Sequence, residues 1–122
     1  MGHHLLEIEG RRKSVNDFDL LIVHHFLTLS AKELSLANES QELSLWNWQG
    51  PGVWEGVNLE KLRNPGRLFE IAEKLVARHG TEISKSYLNE FLPKGIRAET
   101  NQNTSRVIGI LRDIQTLIQK SP

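Results

Sequence analysis

Residues 94–106, KGIRAETNQNTSR, set cations among amides and hydroxyls. Lys94, Arg97 and Arg106, with Lys85 upstream, carry the charge that attracts a phosphate backbone. Asn101 and Asn103 are residue types that position phosphates or read base edges. The stretch lies between two helical segments, where the free N–H groups of a helix start add to the attraction for an anion. It therefore predicts a nucleic-acid ligand, DNA or RNA, held by the basic C-terminal half. The competing expectation is a polar connection with a helix cap and solvated charges, and Glu82, Glu90 and Glu99 dilute the patch.

The other stretch with binding chemistry is residues 44–56, SLWNWQGPGVWEG, which holds all three tryptophans. Indoles serve as stacking platforms for unpaired bases, but Glu39, Glu42 and Glu55 make poor surroundings for a polyanion. Trp46, Trp48 and Trp54 suit a protein contact better, since tryptophan is enriched at interface hot spots. The expectation preferred to both is structural: a Trp-Pro-Gly segment folds back and its indoles close the edge of a small core. A protein–protein interaction module, homotypic or adaptor, is the alternative function.

Catalytic and metal chemistry find little support. His24 and His25 are adjacent, so on a helix they diverge by about 100° and cannot chelate one ion together. His79 fits a helix C-terminus, where the dipole favours an imidazolium. No phosphate loop, dinucleotide fingerprint, zinc-protease motif or nucleophile elbow occurs. The sequence predicts no catalytic residues, no metal and no cofactor.

Charge is unevenly divided along the chain. Residues 12–60 carry a net −4 and residues 61–122 a net +5. Such polarity suits an anionic partner for the basic half or head-to-tail association, or else the two halves pack and their charges cancel. There is no cysteine, which fits a reducing, intracellular compartment. The longest apolar run, Leu20-Leu-Ile-Val23, is too short to span a bilayer, so no membrane partner is expected.

Residues 1–11 read as an expression leader, a short histidine run followed by the protease site Ile8-Glu-Gly-Arg11, and are set apart from the fold. Residues 12–122 then form one helical domain, expected to be excised from a longer protein. Ser14 with Asp17 predicts a helix start, followed by Phe18, Leu21, Ile22, His25, Phe26 and Leu29 at helical spacing. Ser30-Ala-Lys-Glu33 predicts a fresh helix to about Glu39. Residues 43–59 predict an irregular Trp-rich loop, with a short β-hairpin as the lesser option. Asn64-Pro65 opens a helix with a wide apolar stripe from Leu68 to Val76, closed at His79-Gly80. A further helix contains Tyr87, Leu88 and Phe91 and stops at Pro93. The last runs from about Gln102 to Gln119. The expected fold is all-α, a compact bundle of five to six helices.

Overall fold

The computed structural model describes residues 2–119, and the chain is not all-α. Five α-helices alternate with three small two-stranded antiparallel sheets, so the fold is mixed α/β. The sheets fall where the sequence predicts a leader, a loop and a helix connection.

The first sheet is a hairpin, β1 (His3–Ile8) with β2 (Arg11–Asn16). Its turn, Glu9-Gly10, has positive φ at both positions (49° and 82°), the type I′ geometry whose twist matches the strands. Strand alternation turns Leu6, Ile8 and Val15 into the core, with Leu6 only 1% exposed. Glu7 pairs with Arg12 directly across the ladder at 2.9 Å. Residues 3–8 thus pack against the same core as the helices. Arg11 reaches the end of the last helix, where its Nε and Nη2 donate to the Leu117 carbonyl at 3.0 and 2.9 Å. A cation there complements the helix dipole.

Helix α1 (Asp17–Glu33) begins at Asn16, whose Oδ1 accepts from the Asp19 amide at 2.8 Å. Ser14, the expected cap, lies in β2 opposite Leu5. Leu20, Ile22, Val23, Phe26, Leu27 and Ala31 are buried around most of the circumference, so α1 is a central helix packed against three others. Ser30 does not restart the chain: inside α1, its hydroxyl donates to the Leu68 carbonyl at 2.6 Å and pins α1 to the third helix. Ser35, at φ 54°, makes the break, and α2 (Ala37–Ser44) follows. Glu39, in its first turn, is buried and accepts from the Arg63 and Asn64 amides.

Strands β3 (Asn47–Gly50) and β4 (Val53–Glu55) form the Trp hairpin, with a register shift between Trp48 and Gly50. At Gly56 (φ 75°) a Cβ would overlap the Leu45 carbonyl, so only glycine fits where the second arm turns away. A 3₁₀ turn (Leu59–Lys61) capped by Asn58 leads to α3 (Pro65–Ala77). The short strand β5 (Glu82–Ile83) pairs with β6 (Gln102–Asn103), bracketing α4 (Lys85–Phe91). Helix α5 (Thr104–Gln119) starts two residues later than expected, because Gln102 and Asn103 are in the ladder. Leu68, Phe69, Ala72 and Val76 of α3 meet Val107, Leu111 and Ile114 of α5 in the core behind α1.

Candidate functional site

Two of the three tryptophans converge on one carboxylate. Trp48 and Trp54 are directly opposite in the ladder and so share a face. Both indole N–H groups donate to Asp17, Trp48 to Oδ2 and Trp54 to Oδ1, each at 3.1 Å, and the Gly52 amide donates to Oδ2 at 2.7 Å. Burial raises the Asp17 pKa, but the Gly52 amide, the two indoles and nearby His4 outweigh it, so the group is held below its ordinary value. Trp46 and Trp54 are buried and Trp48 half-buried. Trp46 stacks on His24 with centroids 5.4 Å apart, and its Nε1 has no hydrogen-bond partner among the described residues. The segment holds the N-terminus of α1 to the hairpin.

The histidines are likewise engaged inside. His24 Nε2 lies 2.7 Å from the Leu43 carbonyl, which can only accept, so that nitrogen carries the proton. His25 stacks parallel on Phe91, with centroids 3.7 Å apart, and its Nε2 contacts the Tyr87 hydroxyl at 2.8 Å. Burial lowers the pKa of both, and that of His25 falls to about 4 with help from His24, His79 and Lys32. Both rings are therefore neutral at pH 7. Between them lies a cleft of about 230 Å³, lined by Leu21, His24, His25, Thr28 and Phe91.

The structure divides the six residues singled out for nucleic-acid contact. Arg106 is exposed but already engaged: its guanidinium grips buried Asp19 with two hydrogen bonds of 2.9 and 2.7 Å, and a third goes to Gln102. The Asp19 hydrogen bonds, opposed by burial, raise the guanidinium pKa. Asn101 Oδ1 accepts from the Lys85 amide at 3.0 Å, and Asn103 Oδ1 accepts from the Arg106 amide at 3.2 Å. Both asparagines hold helix starts.

Lys85, Lys94 and Arg97 remain exposed, and none has an ion-pair partner among the described residues. Lys94 and Arg97 line one open groove of about 430 Å³ with Asn89, Leu92, Pro93, Gly95 and Ile96. Asn89 fixes this loop by a two-way amide pair, donating to the Ala98 carbonyl at 3.1 Å and accepting from its amide at 2.8 Å. Sequence reasoning missed Asn89, whose only signal is a polar residue on the inner side of a short helix.

Lys32, Lys61 and Arg63 are likewise exposed without an ion-pair partner among the described residues, whereas three cations pair across the halves of the chain. Arg78 pairs with Glu33, Lys13 with Asp113 and Arg106 with Asp19. A groove of about 380 Å³ between α3 and α5 contains Glu73 with Arg112, and Glu70 with Lys74, as internal pairs. Among the described residues no group of three or more acidic or imidazole side chains is placed to hold a metal ion, and no helix is long and apolar enough to cross a membrane. Compared with known proteins, the chain matches no family model, no curated protein and no solved structure.

Proposed function

We propose that this domain binds nucleic acid through the cations around α4 and the connection to β6, with Lys94 and Arg97 as the principal phosphate contacts and Lys85 at the other end of the helix. The observation that carries this reading is the pair of exposed cations, free of carboxylate partners among the described residues, lining one groove. Unpaired surface charge beside a concave surface attracts polyanions, whereas the Arg106 guanidinium, tied to Asp19, supports the scaffold. Burial of Trp46 and Trp54 weighs the same way, because it removes two of the three indoles that a protein contact would use. Absence of cysteine fits an intracellular setting for such a ligand.

A protein partner is the second reading. Leu5, Leu45 and Val53 are large apolar residues about half exposed, all in the acidic N-terminal half. Fluorescence anisotropy with labelled single- and double-stranded oligonucleotides at two salt concentrations tests the first reading. Binding should weaken with salt, with a slope near −2 for three single-strand phosphate contacts, and Lys94→Ala/Arg97→Ala should remove most of that slope. Binding by the double variant that equals the parent's refutes the assigned site, and no binding at low salt refutes the ligand.

A further inference from the structure

We infer that the bound strand is unpaired and that one of its bases enters the cleft between α1 and α4, stacking on the face of Phe91 that His25 leaves uncovered. This rests on the nucleic-acid reading above and specifies what that ligand must be. Phe91 lines the cleft, while Leu92, Pro93 and Lys94 line the cationic groove, so the two depressions flank the C-terminal end of α4. A strand with its phosphates on Lys94 and Arg97 has a base within reach of Phe91.

The lining suits a base and not a phosphate. Leu21 and Phe91 are apolar, and the two imidazoles are uncharged at pH 7 because burial keeps them so. At about 230 Å³ the cleft is smaller than the ~300 Å³ or more of drug-sized sites and takes a single ring system. His24, protonated on Nε2 by its bond to the Leu43 carbonyl, keeps Nδ1 as a bare acceptor. Thr28 donates its hydroxyl proton to the His24 carbonyl at 2.8 Å and keeps oxygen lone pairs free to accept. A duplex offers no free base face, so stacking here selects single strands.

The test compares a short oligodeoxyadenylate with an abasic strand of the same length and phosphate number. The intact strand should bind at least about fivefold more tightly, since a stacked base strengthens single-strand binding by at least that factor. Phe91→Leu, which keeps apolar bulk at a half-buried position, should remove most of the difference. Adenosine alone should shift the ring signals of His24, His25 and Phe91 in the unaltered protein, which needs no variant to fold. Equal affinity for intact and abasic strands, without ring shifts, overturns the base cleft while leaving phosphate binding in place. Failure of both strands to bind overturns the nucleic-acid reading and the cleft with it.

Discussion

Replacing Asp17 with Asn should destabilise the domain far more than its near-identical shape suggests. The carboxylate accepts three hydrogen bonds, two on Oδ2 and one on Oδ1. An asparagine whose oxygen takes the Oδ2 position keeps the Trp48 and Gly52 bonds but turns its NH₂ toward the Trp54 indole N–H, donor against donor. The loss of one charge-assisted bond, about 1.5–3 kcal/mol, combines with a buried unsatisfied donor worth about 1–3 kcal/mol. About 3–4 kcal/mol is expected, a large share of the roughly 5–15 kcal/mol that holds such a domain. Urea denaturation followed by tryptophan fluorescence should show a lower midpoint at unchanged slope. Asp17 is held below its ordinary pKa, so the stability it contributes is present above that ordinary value and is lost as pH falls through the folded value. The parent should therefore lose stability below about pH 4, and Asp17→Asn should not show this component of the loss. Trp54→Phe, which removes one donor to Asp17, should cost more than Trp46→Phe, which removes an N–H that has no partner. A loss under about 1 kcal/mol in Asp17→Asn, with the same acid limb as the parent, would refute the reasoning.

Three further perturbations separate structural roles from binding. Leu6→Ala should cost about 2–5 kcal/mol in denaturant melts because the side chain is fully packed; a value near zero would show that β1 is not part of the core. His25, with its pKa lowered to about 4, contributes stability that is full above pH 6.5 and declines toward pH 4. His24, His79 and Lys32 oppose its protonation, while Tyr87, itself acted on by Glu90, bonds it. After allowance for partial exposure the decline is about 1–2 kcal/mol, and His25→Phe should flatten it in melts from pH 7 to 4. Arg106→Ala should cost about 2–3 kcal/mol, less than a fully buried pair because the Arg106 side chain is 44% exposed, yet leave the salt slope for nucleic acid unchanged. A weakened slope in a stable Arg106→Ala protein would return Arg106 to the binding surface.

Legibility in the sequence followed how local each signal is. The apolar stripe of Leu68 to Val76, the proline start of α3 and the Pro93 stop of α4 act within a few residues, and those elements formed as expected. Ser30 misled because S-x-x-E marks a cap only when the serine faces its own helix start; here the hydroxyl serves a carbonyl 38 residues away. The β1–β2 hairpin had its own marks, the alternating Leu6 and Ile8 and the Glu9-Gly10 turn, which the protease-site pattern over the same residues concealed. Strands β5 and β6, two residues each, are too short to leave a period. At the candidate site, cation type was readable but direction was not. Arg106 and Arg97 look alike in sequence, and Asp19, 87 residues before Arg106, decides that only Arg106 is tied to a carboxylate.

An amide NMR titration of the domain with short single- and double-stranded DNA at low and moderate salt tests the central claim most directly. Salt-sensitive shifts concentrated at Lys85, Asn89 and residues 94–97, with the Trp hairpin unmoved, are the predicted result. Absence of shifts at low salt, or shifts centred on Leu5 and Val53, would contradict it.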